Sequence, residues 1–365
     1  MHLREIPPLG RLPLLIFAMI CLLTGVLSGL ARLALAVPAF AQEQAGGHGA
    51  LMIAGFFGTV ISLERAVALR RRWPYLAPLG AGLGGIFMLL PGLSPFSPIL
   101  FCLAGGIFVA ASLRVYQQKP AIFTFTLLLG AASLLLGSLV WLWQAELGQA
   151  MPFWMSFLIL TIAGERLELS RFLPPQPLGQ KVFIGGLGII GVAAGLNLLA
   201  LDYGLQVLAA GWLLLALWLL RYDIARRTVK RAGLTRFVAV CLLLGYGWLA
   251  LGAVLGLDGA FASGHPWRDS ALHAIFLGFV FSMVIGHAPI IFPSVMRVKI
   301  PYHPFFYVPL AALQLSLAVR VIGNLGDFWV GRQTGAVLNA LSLALFIVTL
   351  LVSVARAALS PETQP

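Results

Sequence analysis

"HAIFLGFVFSMVIGHAPIIFP", residues 273–293, decides the fold class. It is an apolar run of the length that crosses a bilayer, about 20 residues. It also carries two histidines, His273 and His287. An imidazole inside a membrane is costly and marks a functional site by default. The two lie fourteen residues apart, about 21 Å along an α-helix and turned to nearly the same side. They belong to two levels of the membrane rather than to one site.

The rest of the chain carries the same signal. Of its 365 residues 60% are hydrophobic and 10% charged, with a mean hydropathy of +0.96, whereas a soluble domain is about a quarter charged. Twelve apolar stretches follow one another, near 11–36, 48–69, 75–92, 95–116, 120–144, 149–167, 179–201, 203–221, 234–256, 270–293, 304–325 and 333–357. The connections are short and polar. The chain therefore reads as an all-α polytopic membrane protein, one twelve-helix transmembrane domain over 1–365 with the lipid bilayer as its solvent.

A net charge of +12 raises the question of a nucleic-acid partner, and its distribution answers it. With the N-terminus in the cytoplasm, "RAVALRRR" (65–72), "RYDIARRTVKR" (221–231) and "RVK" (297–299) all fall inside. Of 24 Lys and Arg residues, 20 are then cytoplasmic, and Arg32, Arg268, Arg320 and Arg332 lie outside. This is the positive-inside rule; it places both termini in the cytoplasm and needs no nucleic acid. "LALAVPAFAQ" (33–42) resembles a cleavage site after Ala41. The apolar region before it is too long for a signal peptide and holds Arg32, so it is kept as span 1. Cys21, Cys102 and Cys241 sit within spans at no useful spacing. They read as small buried apolar residues and imply no disulfide.

Spans 2, 6 and 10 look related. "GFFGTVISLERAV" from Gly55 pairs without a gap with "GFVFSMVIGHAPI" from Gly278, setting Thr59 against Ser282 and Glu64 against His287. "SFLILTIAGERLEL" from Ser156 matches more weakly and sets Glu165 against Glu64. One related span in every four suggests four-helix units, about 1–118, 119–231 and 232–365, in a pseudo-threefold arrangement. Chance similarity among Gly- and Phe-rich spans is the competing reading.

Of six histidines, His2, His265 and His303 fall at the terminus or in loops and read as solvated. His48 and His273 begin spans 2 and 10, which run the same way, so both imidazoles lie near the outer face. Two such imidazoles suit the axial positions of a haem iron; the competing reading is a structural or substrate-site role. Gly47, Gly49 and Gly278 would let a flat ring approach the helix backbone. Arg32 and Arg320, also outer, are candidate partners for haem propionates; the plainer reading pairs Arg320 with Asp327 or lets both side chains snorkel to the interface. At the inner level Glu64, Glu165 and His287 could together hold a metal ion or relay protons. The plainer alternative pairs each Glu with a neighbouring Arg or a loop Lys and sets His287 on a carbonyl freed by Pro289.

"HGALMIAGFFG" (48–58), "LGYGWLALG" (244–252) and "ALHAIFLGFVFSM" (271–283) resemble stretches of the NnrS family, twelve-helix bacterial membrane proteins associated with haem, copper and the response to nitric oxide. That family in turn is similar to the catalytic subunit of haem-copper oxidases. The resemblance implies a low-spin haem b between spans 2 and 10, with His48 and His273 in the ligand positions. It also implies a bacterial inner-membrane location and a role in electron transfer or nitric oxide binding. The chain departs from the family pattern in three places. Ala50 stands where a second span-2 histidine is usual, Leu243 where one precedes "LGY", and spans 6 and 7 carry none for an oxidase copper centre. Dioxygen reduction of the oxidase type is therefore not expected, and copper or another metal ion would have His287 as its remaining intramembrane imidazole. No residue pattern names a substrate or redox partner. The alternative is a haem-free transporter or channel for a small solute or ion, since internal repeats and buried Glu, Arg and His residues fit that class too.

Overall fold

Apolar runs broken by Gly, Pro and charged residues fold here as helix after helix. The computed structural model describes residues 5–174, 176–201 and 203–359; His2 lies outside them. Among the described residues there is no β-strand. The apolar helices are α1 (Pro8–Ala31), α2 (Ala45–Leu69), α3 (Trp73–Leu89), α4 (Ser94–Gln118), α5 (Ile122–Gln144), α6 (Leu147–Ser170), α7 (Pro177–Leu198), α8 (Gly204–Tyr222), α9 (Gly233–Leu257), α10 (Arg268–Met296), α11 (Pro304–Leu325) and α12 (Trp329–Leu359). Eleven of them are long and apolar enough to cross a membrane, and α3 is shorter. The span expected over 75–92 stops at Leu89 because Leu90 is extended, with φ −100° and ψ 124°. Pro91 follows it, and a proline disfavours the helical conformation in the residue before it.

The chain divides into two compact units, Met1–Glu168 and Leu169–Pro365. In the first, α1 packs on α2 and α3, α3 on α4, and α4 on α5. Cys21 of α1 is the wedge there: a side chain on Gly55 or Gly85 would meet its sulfur. In the second, α7 packs on α8, α8 and α10 on α9, and α11 on α12. Gly335 of α12 lets the Arg320 backbone of α11 come so close that any side chain there would strike it. Small residues at helix contacts are how spans approach without an aqueous hydrophobic drive.

Two helices carry π-helical segments, at matching places. In α2 the backbone is π-helical over Leu51–Phe57, and in α10 over Ala274–Phe281. The pairing of Gly55 with Gly278 also sets Leu51 against Ala274, the first residue of each π segment. Such segments hold an extra residue per turn and recur at functional sites. α6 is α-helical throughout. α2 and α10 also end alike, on Arg70 at φ 51°, ψ 37° and Arg297 at φ 55°, ψ 36°, a left-handed conformation uncommon outside glycine.

Candidate functional site

Each intramembrane histidine is held by a backbone carbonyl. In the first unit, His48 Nδ1 lies 2.6 Å from the Gly25 carbonyl oxygen of α1. In the second, His273 Nδ1 lies 2.8 Å from the Asp269 carbonyl and His287 Nδ1 lies 2.9 Å from that of Met283. A carbonyl only accepts, so all three Nδ1 atoms carry the proton, and in the neutral ring the lone pair sits on Nε2. The loop histidines have the opposite arrangement. The Trp267 N–H donates to His265 Nδ1 at 3.2 Å, and the Phe305 N–H donates to His303 Nδ1 at 3.1 Å. There the imidazole serves as a turn cap. The acceptor of His287 Nδ1 is the Met283 carbonyl, one helical turn back, whereas the carbonyl freed by Pro289 is that of Ile285.

Around His273 the second unit builds a charge cluster. Arg320 Nε and Nη2 donate to Asp269 Oδ2 and Oδ1 at 2.9 and 2.8 Å, a two-pronged grip. Arg332 Nε donates to Oδ2 at 3.3 Å, and His273 Nδ1 stands 3.2 Å from Oδ1. The expected pairing of Arg320 with Asp327 is therefore replaced by Asp269. Arg332 rests beside Trp329, 5.2 Å from the ring centre. Next to Asp269, the Ser270 N–H and hydroxyl both donate to Asn324 Oδ1, at 3.0 and 2.7 Å. Arg32, the other expected propionate partner, is exposed and donates to the Ala45 carbonyl at 3.4 Å.

Deeper in the same unit runs a polar chain. Trp248 Nε1 donates to Gln314 Oε1 at 2.6 Å, and Gln314 Nε2 donates to Ser282 Oγ at 2.8 Å. The Asn339 amide bonds the Ser316 hydroxyl at 2.7 Å. These contacts join α9, α10, α11 and α12 through side chains.

The inner candidates divide between the units. Glu64 and Glu165 are in the first, where Glu165 lies in the field of Glu64, Arg65, Arg166 and Glu168; the loop cation Lys119 pairs with Glu168 at 3.6 Å. His287 is in the second. Within each unit, no group of three or more His, Cys, Asp or Glu is gathered as a metal site requires, among the described residues. The glycines expected to flank a flat ring are covered. A side chain on Gly47 would meet the Met88 methyl at 2.6 Å, one on Gly49 the Met151 methyl at 2.9 Å, and one on Gly278 would strike Trp248.

Sequence reasoning missed Asp269, Gly25, Gly29 and Gln314. Three of these had a signal: Asp269 stands four residues before His273, and Gly25 and Gly29 continue a run of small residues four apart from Cys21. Residues 11–355 match the family model described as "Domain of unknown function (DUF8744)", and the chain belongs to that family. No curated protein matches it.

Proposed function

We propose that this member of the DUF8744 family is a membrane protein that binds b-type haem through outer-end histidines, as the NnrS-like resemblance suggests. One observation carries the reading. His48 and His273 are each held with the proton on Nδ1 by a backbone carbonyl, which in the neutral ring puts the lone pair on Nε2, the atom that would ligate a metal. Imidazoles that ligate a metal usually donate their other ring N–H to a carbonyl or carboxylate in this way. The donor chemistry fits haem iron, which takes neutral imidazole nitrogen. Arg332, partly exposed beside the engaged Arg320, is better suited than Arg320 to meet a carboxylate.

The haem supplies one-electron redox chemistry and an affinity for nitric oxide. The chain's own residues set which is used. His48 and His273 are the residues that would hold the group; ligation by both would suit electron transfer, and ligation by one would suit gas binding. The half-buried chain Trp248–Gln314–Ser282 favours a second reading, a haem-free transporter with polar groups lining a path.

The absorption spectrum of purified, haem-replete protein separates these readings. On dithionite reduction we expect a sharp α-band, lost or shifted in His48→Ala and in His273→Ala. A well-folded preparation with no haem absorbance overturns the proposal and leaves the transporter. A spectral change on adding nitric oxide to the reduced wild type marks gas binding, and no change marks electron transfer.

A further inference from the structure

We infer that Gly29 of α1 is a positioning residue for His48, acting through the Gly25 carbonyl. The inference rests on the reading of His48 as a ligand. Cys21, Gly25 and Gly29 form one stripe on α1, four residues apart, and residues four apart share a helix face. The stripe receives α2 residue by residue. A Cβ on Gly55 would lie 3.0 Å from Cys21 Sγ, one on Gly25 would lie 2.7 Å from Met52 Sδ, and one on Gly29 would lie 2.8 Å from His48 Cε1. The imidazole thus occupies the space that any side chain at position 29 would fill.

The geometry explains why glycine is needed at 29 in particular. Every Cβ in an α-helix tilts toward the N-terminus, so a side chain at 29 leans over the carbonyl of residue 25. That carbonyl is the acceptor of His48 Nδ1 at 2.6 Å. Without a Cβ at 29, the ring can lie against α1 and reach it. The bond fixes ring plane and tautomer together, and it makes Nε2 the donor atom toward a metal. The π-helical segment Leu51–Phe57, three residues on, sets where His48 falls relative to the Met52 and Gly55 contacts below it.

The test uses full-length protein with ¹⁵N-labelled histidine, in wild type, Gly29→Ala and Gly29→Val. Leu23→Ala, at an exposed position of α1, is the control. His48 resonances are identified by their loss in His48→Ala. In haem-free wild type and in the control we expect His48 with Nδ1 protonated and Nε2 unprotonated. In Gly29→Val we expect the two tautomers mixed, with Gly29→Ala between. In reconstituted protein, haem affinity should fall about 10–100-fold, the usual cost of losing an outer-shell partner of a ligand. If His48 keeps Nδ1 protonated in Gly29→Val, the inference is overturned whatever the haem content. If Gly29→Val does not fold, the same reading is taken on Gly29→Ala, where an unchanged tautomer overturns it equally. A tautomer that shifts in a protein that never takes up haem upholds the positioning role and overturns the haem reading instead.

Discussion

Asp269 is the residue on which the outer end of the second unit depends. Its carboxylate takes both prongs of Arg320, a third bond from Arg332, and stands beside His273. Asp269 and Arg320 are 10% and 8% exposed at their side chains, and removing one partner of a buried pair leaves the other charged and unmatched. Asp269→Ala should therefore cost about 3–5 kcal/mol, read as a large drop in Tm in detergent. Arg332→Ala should cost about 1 kcal/mol or less, since its bond is longer and its side chain 25% exposed. Arg320→Ala should cost more than Arg332→Ala, because it removes two of the three arginine bonds; equal losses for the two arginine variants would show that they share the carboxylate evenly. An arginine inside span 11 signalled from sequence that a partner exists. Which carboxylate it takes was not legible, because Asp327 is seven residues along the chain and Asp269 is 51.

At the scale of elements, Gly245, Gly252, Gly278 and Gly286 let α9 and α10 approach, and Gly278 is the most closely covered of them. A side chain on Gly278 would strike Trp248, whose indole is anchored by Gln314 at 2.6 Å, so neither helix can yield easily. Gly278→Ala should cost about 1–3 kcal/mol through overpacking, and hydrogen exchange should quicken in α9 and α10 together. Gly247→Ala, on the open side of α9 with nothing within 4 Å of its notional Cβ, should leave both unchanged. The apolar runs foretold these helices well. The π segments in α2 and α10 were not foretold, since apolar periodicity cannot distinguish one extra residue per turn within a span apolar on every side.

At the scale of the whole molecule, the short helix α3 decides the parity of the crossings. Its 17 residues, from Trp73 to Leu89, reach about 25 Å at 1.5 Å per residue, just enough for a thin or locally thinned bilayer. The charges argue that it crosses. If it did not, every basic cluster beyond it would change sides and the positive-inside pattern would fail. Single cysteines at Gly46, Arg72 and Ser94, in a background without Cys21, Cys102 and Cys241, test this with a membrane-impermeant reagent. Ser94→Cys should react from the same side as Gly46→Cys and opposite to Arg72→Cys. Reaction of Ser94→Cys from the Arg72 side would mean that α3 does not cross.

The amino-acid order alone determined that this is a helical membrane protein, where its helices run and which charges should face the cytoplasm. These follow from the length of apolar runs and from the cost of moving Lys and Arg through lipid, both local properties of the chain. It also singled out His48, His273 and His287, because an imidazole in lipid is costly wherever it folds. His273 and His287 bond carbonyls one turn back on their own helix; only the tertiary structure decided what His48 and Arg320 bond. His48 meets a carbonyl on a neighbouring helix because Gly29 lacks a Cβ, and Arg320 meets Asp269 because α11 lies beside the start of α10. A hydrogen bond forms over about 3 Å of space, and no spacing along the chain states which atoms folding will bring that close.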